Sequence, residues 1–345
     1  MDSASTGGAL EIGNARTLPE QPIVSVFMAT YNQERYIAAA IEGALAQKVD
    51  FPIELVVGED CSTDGTRAIV LDYQRKHPDL IRIISGSRNA GGFANSNRCL
   101  PLCRAKYIAF CEGDDFWHHA EKLKMQVAAM NASPDITLCH TDYNRKIGFR
   151  TNRDAHKRHR GALPAEGDAY LSLLHDWTVM TATAMYRADI IRDFLATPFN
   201  NPSWPFGDYN KALYASVRGR LAYVPVSTAT WRKRMGSATN SGYQRFLAMA
   251  LAYSECREAF MAEFPPSLEV AESVRRDSRE RIMPRAFYAG ATDTFEDCRR
   301  WLVEHGYARG ASRYRLMRAI MGNRPLLATV GKYRALVQTL GTLGG

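Results

Sequence analysis

Between Ile23 and Asn131 the chain alternates four times between a short apolar run, a polar loop and a stretch with helical spacing. This alternation restricts the fold more than any other feature. The runs are IVSVFMAT (Ile23 to Thr30), IELVVGE (Ile53 to Glu59), LIRII (Leu80 to Ile84) and KYIAFC (Lys106 to Cys111). Their β-branched and apolar content reads as buried strand. The intervening segments read as helix, as where Tyr36, Ile37, Ala40, Ile41, Ala44 and Leu45 make one apolar face. Strand and helix in this order build an α/β fold, a Rossmann-like, mainly parallel sheet flanked by helices. Ligands bind such sheets beyond the carboxyl ends of the strands. The loops that follow Thr30, Glu59, Ile84 and Cys111 all fall there.

Three regions follow from the pattern. Residues 1–20 are polar and read as a mobile leader, 21–240 hold the alternating domain, and 241–345 read as a helical region interrupted at Phe264-Pro265-Pro266 and near Pro325. The composition is ordinary for a globular chain, 46% hydrophobic and 23% charged. A net charge of +8 suits a partner that carries phosphate, although a solvated basic surface explains it equally well. Much of the excess lies between Arg145 and Arg160 and in the C-terminal tail. Seven cysteines without metal-type spacing read as buried thiols of a reducing compartment. No signal-peptide pattern opens the chain and no apolar run approaches the ~20 residues that span a bilayer. The expected location is cytoplasmic.

The densest chemical signal is Glu112-Gly113-Asp114-Asp115, directly after an apolar strand. Three carboxylates in four residues repel one another unless a cation or a hydrogen-bond network offsets them. Glu112 and Asp114 alternate onto one face, and a turn at Gly113 lets Asp115 approach. Mg²⁺ or Mn²⁺ takes one or two such carboxylates and completes its shell with phosphate oxygens and water. The competing explanation is an acidic cap on the following helix. Further loops add candidates. After the second strand, Asp60 can accept hydrogen bonds from a base or ribose, while Ser62, Thr63 and Asp64 suit a turn and helix cap. After the third, Arg88 and Asn89 precede Gly91-Gly92, which reads either as a ligand-approaching loop or as a plain turn.

The blocks VSVFMATYN, GEDCSTDGT, RNAGGFANSN and YIAFCEGDDFW, with KLKMQV after it, resemble the family 2 glycosyltransferases of the GT-A fold in order and spacing. The resemblance implies an inverting enzyme that uses a nucleoside-diphosphate sugar, with UDP the expected nucleotide and dTDP or GDP the alternatives. The family's "DXD" element resembles Glu112-Gly113-Asp114, with glutamate in the first place. It implies that Asp114 binds Mn²⁺ or Mg²⁺ and that Glu112, Gly113 and Asp115 line the donor around the ion. It also implies that Thr30, Tyr31 and Asn32, with Glu59 and Asp60, hold the nucleoside. Phe206-Gly207-Asp208-Tyr209 resembles the family's catalytic-base element, so Asp208 is the expected base, unless it merely caps a helix. Trp231-Arg232-Lys233-Arg234 resembles a late segment that commonly reads Tyr-Arg-x-His. Arg234 stands in the histidine's place, as a fixed cation for the leaving diphosphate or as part of a surface basic run.

The implied partners are a nucleotide-sugar donor and a carbohydrate or lipid-linked acceptor, in a pathway such as bacterial surface polysaccharide assembly. A non-catalytic nucleotide-sugar-binding or scaffold protein of the same fold is the rival, disfavoured because Asp60, Asp114 and Asp208 are all present. A nucleic-acid binder is disfavoured by the absence of a recognition motif and by the acidic loops. The basic helical tail suits either anionic lipid at the inner face of the membrane or a homodimer interface.

Overall fold

The structure, a computed structural model, describes residues 10–13, 18–153, 163–233 and 242–307. Two compact units emerge. Among the described residues, the first comprises 10–13, 18–146, 151–153, 163–202 and 206–232, and the second 147–150, 203–205, 233 and 242–307.

The first unit contains the expected alternation. Strand β1 (Leu10–Ile12) is followed by β2 (Val24–Thr30), α1 (Ile37–Leu45), β3 (Ile53–Glu59), α2 (Thr66–Lys76), β4 (Ile81–Ser85), α3 (Gly92–Cys99) and β5 (Tyr107–Phe110). Strands β4, β3, β2 and β5 are adjacent and parallel, with Thr30 opposite Glu59 and Glu59 opposite Ser85. Their carboxyl ends therefore share one edge. Val24, Val26, Met28, Leu55, Val57 and Ile83 are buried in one apolar cluster with Ile37, Ala40 and Ile41 of α1. Burying each such side chain contributes about 1.5–3 kcal/mol.

Beyond β5 the pattern changes. Strand β6 (Phe116–Trp117), α4 (Lys122–Asn131), β7 (Ile136–Ile147), β8 (Arg150–Asn152), α5 (Tyr170–His175), β9 (Met185–Arg187), α6 (Ala188–Leu195), α7 (Tyr209–Arg218) and β10 (Arg220–Lys233) follow. The full order is β1-β4-β3-β2-β5-β9-β7-β10-β6, with β8 on β7. Here β5 pairs antiparallel with β9, β9 with β7 and β10 with β6. The sheet is thus mixed, with β4, β3, β2 and β5 parallel and the pairs β5–β9, β9–β7 and β10–β6 antiparallel. Strand β1 is likewise antiparallel to β4, so an edge strand sits inside the stretch read as a leader.

Two local features fix the sheet's ends. At the amino end of β3, the carboxylate of Glu54 is fully buried. It accepts from Ser25 Oγ (2.6 Å), the Arg104 amide (2.8 Å) and the Arg104 and Arg82 guanidiniums. Arg82 also holds Glu11 of β1 at 2.7 Å. Burial alone would raise the Glu54 carboxyl, but these hydrogen bonds and the Arg82 charge hold it below its ordinary value. At the other end, α1 lies directly on β6. A Cβ on Gly43 would stand 2.7 Å from the Trp117 carbonyl oxygen and 3.0 Å from its amide, so only glycine permits the approach.

The second unit carries three helices, α8 (Gly242–Glu263), α9 (Leu268–Ala289) and α10 (Thr292–Glu304). The break expected at Pro265-Pro266 separates α8 from α9. Ser267 caps α9, accepting from the Val270 amide, and Gly290 at φ 71° ends it in the left-handed region. Leu247, Ile282, Phe287, Phe295 and Leu302 form their core. Among the described residues no helix is long and apolar enough to cross a membrane.

Candidate active site

The loop after β2 and the loop after β3 are tied together. Asn32, at φ 51°, donates its amide to Ser62 Oγ (3.1 Å), and its side-chain oxygen accepts from the Thr63 amide (2.8 Å). The Gln33 amide donates to Thr66 Oγ1, the Gly65 amide to Glu34, and the Thr66 amide to Asp64. Ser62, Thr63 and Asp64 thus fill the turn-forming role expected of them. Every one of these bonds satisfies a backbone group that water or a helix would otherwise have to satisfy.

Glu59 and Asp60 face inward. Glu59 is fully buried and accepts from the Ser62 amide (2.7 Å), Arg67 (3.3 Å) and Ser85 (3.3 Å). Asp60 accepts from the amides of Ala90 (3.0 Å) and Gly91 (2.8 Å) and from Arg98 (3.3 Å). Its carboxylate therefore shapes the loop after β4, whose Asn89 side chain donates to the Asp60 carbonyl. Tyr31, Asn32, Arg88 and Asn89 are exposed on the same edge, while Thr30 is buried and donates to Gln33 at 2.8 Å.

The acidic turn is built onto the end of β2. The Cys111 amide donates to Phe27 and the Gly113 amide to Ala29, and the Asp115 amide closes the turn on the Glu112 carbonyl. Gly113 packs against Gln33 and Thr30; an added Cβ would lie 2.9 Å from Thr30 Oγ1. The Oε2 atom of Glu112 is enclosed and receives no hydrogen bond. Burial first, then the charges of Asp114 and Asp208, push this carboxyl up to about 8. Asp115 is also buried, and burial with the charges of Glu112 and Asp114 raises it. Opposing that rise, the Arg232 amide donates to Asp115 Oδ1 at 2.8 Å.

Arg232, on β10, completes the cluster from the antiparallel side. Its guanidinium donates to the Asp114 carbonyl (2.9 Å) and lies 4.2 Å from the Phe116 ring centre and 5.5 Å from that of Tyr36. Stacking on aromatic faces holds the cation without neutralising it. The sequence places Arg232 in a recognisable segment but singles out Arg234, which lies outside the described residues.

Asp208 stands at the amino end of α7, as expected. It accepts from the Tyr209 amide (2.8 Å) and from Thr181 Oγ1 (2.9 Å), so it caps the helix, and it lies near enough to the acidic turn for its charge to act on Glu112. Three further residues surround it that sequence reasoning missed. Thr181 opens a single helical turn, Thr181–Thr183, between α5 and β9. Tyr186 is buried beside Phe110, its hydroxyl pK raised by burial and by the charges of Asp208 and Glu112. Lys211 is buried over the Phe194 ring and donates to the Gly207 carbonyl. Burial pulls its ammonium down to about 8, against the attraction of Asp208 and Glu112. Lysine at Lys211 gives no local sign of burial, because a helical lysine is usually a solvated one. Among the described residues no three His, Cys, Asp or Glu side chains converge as a metal site by themselves.

Comparison with known proteins bears on this edge of the sheet. Residues 25–195 match the family model described as glycosyl transferase family 2. An uncharacterized protein of Mycobacterium tuberculosis is 40% identical over 116 residues, 34% of this chain and 34% of that protein. The matched stretch thus spans about a third of the length of that relative. Chondroitin synthase of Escherichia coli is 37% identical over 222 residues, 60% of this chain and 28% of the synthase. Two solved structures share the fold. Staphylococcus aureus TarS 1-349 in complex with UDP-GlcNAc has a TM-score of 0.52 at 18% identity, covering 83% of this chain and 92% of TarS. The mannosyltransferase PcManGT from Pyrobaculum calidifontis, in complex with GDP-Man and Mn²⁺, has a TM-score of 0.55 at 17% identity, covering 91% and 88%.

Proposed function

Because residues 25–195 form a glycosyl transferase family 2 domain of the GT-A fold, we propose that the chain is an inverting, metal-dependent glycosyltransferase. In this reading it transfers a sugar from a nucleoside diphosphate, UDP first among candidates, to a hydroxyl acceptor in surface polysaccharide synthesis. The observation that carries the reading is the convergence of Glu112 and Asp208, which are far apart in sequence yet close enough for the Asp208 charge to help raise the Glu112 carboxyl.

The residues present fit a divalent cation. An enclosed Glu112 oxygen without a donor, next to Asp114 and Asp115, is a place where positive charge is missing. Asp114 would hold Mn²⁺ or Mg²⁺, with diphosphate oxygens and water completing the shell, since few protein ligands converge. When bound, the ion would neutralise charge on the departing diphosphate. Tyr31, Asn32, Arg88 and Asn89 supply an exposed aromatic face, polar groups and a cation for the nucleotide.

Asp208 would accept the acceptor's hydroxyl proton as its oxygen bonds to the anomeric carbon, opposite the breaking bond to the diphosphate. One displacement of this kind inverts the carbon and needs one base. Thr181 and the Tyr209 amide hold the carboxylate in place while it waits. The Asp208→Asn variant should keep donor affinity and slow transfer by about 10²–10⁴. Unchanged turnover, measured at saturating donor and Mn²⁺, would remove the base from this reading.

A further inference from the structure

Lys122 is a buried charge that the proposed chemistry does not use. It opens α4, only a few residues after the acidic turn, and is fully enclosed. Its ammonium lies 4.4 Å from the centre of the Trp117 ring, donates to Gln126 Oε1 and approaches the Thr183 carbonyl at 3.4 Å. No carboxylate is among these partners, and burial pulls the group down to about 7. A lysine in such a place costs stability that an apolar side chain of similar length would not.

Its neighbours all reach the same short segment. Gln126 Nε2 donates to the Thr183 carbonyl (2.8 Å) and to that of Cys139 (3.0 Å). The Trp117 indole donates to the Ala182 carbonyl at 2.7 Å. Three donors from β6 and α4 therefore grip two consecutive carbonyls of the Thr181–Thr183 turn. The first residue of that turn is the one whose hydroxyl holds Asp208 Oδ2.

We infer that Lys122, with Gln126 and Trp117, is a positioning group for Asp208: it fixes the Thr181–Thr183 turn, and the turn aims the carboxylate. The inference rests on Asp208 being the base. One continuous segment, Glu112 to Gln126, then carries the donor-side acids and sets where the acceptor-side base stands. Misplacing a reacting group by about 1 Å can cost about 10²-fold in rate, so a device of this kind matters to turnover even though it touches no substrate.

The test compares Lys122→Met, Thr181→Val, their double variant and Asp208→Asn, reading kcat, donor KM and folded fraction of the full chain. Lys122→Met should lower kcat about 10–100-fold with donor KM within about twofold. Because both changes act on one contact to Asp208, the double variant should be no worse than the worse single variant by more than about twofold. Unchanged kcat per folded molecule in Lys122→Met, effects that multiply, or a loss confined to KM would overturn the inference. Should Lys122→Met fail to fold, Trp117→Phe removes the donor to Ala182 and must show the same kcat-selective loss. If Asp208→Asn retains turnover, the base assignment falls; if it loses turnover while Lys122→Met does not, only the positioning role falls.

Discussion

Two glutamates, Glu54 wholly buried and Glu112 with one oxygen enclosed, stand at opposite ends of the same sheet, and their surroundings differ in kind. Glu54, near the start of β3, receives hydrogen bonds from a hydroxyl, an amide and two guanidiniums, and its carboxyl sits below the ordinary range. Glu112, just past the end of β5, is enclosed beside two more acids with one oxygen receiving no donor, and its carboxyl sits far above. The fold could have saturated either. Charge satisfied from within is structure, and charge left unsatisfied at the strand ends is a request for something from outside.

The contrast can be broken most sharply at Asp114. Its replacement by alanine should abolish detectable transfer with Mn²⁺ present while the unfolding midpoint holds or rises, since one member of a repelling cluster is gone. Transfer at a near-normal rate would make the acidic turn no different from any other. Next in size is Glu54→Ala, which strands two cations at the amino end of the sheet. It should cost about 3–5 kcal/mol by denaturant unfolding, with turnover per folded molecule preserved. A loss of activity without a loss of stability would contradict the division of labour.

The smallest effects lie in pH dependence, where the two glutamates have opposite signs. Glu54 is depressed on folding, so its contribution is present above its ordinary value of 4.5 and is lost as pH falls below that. Glu112 is raised from 4.5 to about 8, so the metal-free chain binds its proton more tightly when folded and loses stability as pH rises through that window. Glu112→Gln should flatten the alkaline slope and raise the metal-free Tm by about 2–4 °C, the shift expected per kcal/mol for a unit of this size. Parallel slopes for both glutamates would dissolve the comparison.

The parallel half of the sheet was readable because β-branched runs and helical spacing are local properties. So were the acidic turn and Asp208, whose expected place as the cap of a helix the structure bears out. The short strands of the antiparallel half were not. Strand β9 is three residues long and β6 only two, and each is a strand because of a distant partner, not because of its own pattern. Nothing local to Glu59 and Asp60 announces that Ser62, Arg67, Ala90 and Arg98 will also bond to them. Lys122 and Lys211 are the reverse case. They resemble solvated helix charges until tertiary packing encloses them.

The contact between α1 and β6 has one more implication. At Gly43 a helix rests on backbone, and backbone cannot rotate aside as a side chain can. A single methyl there would lift the strand that immediately follows the acids. A screen for silent, well-expressed variants should therefore recover position 43 alongside the acids themselves.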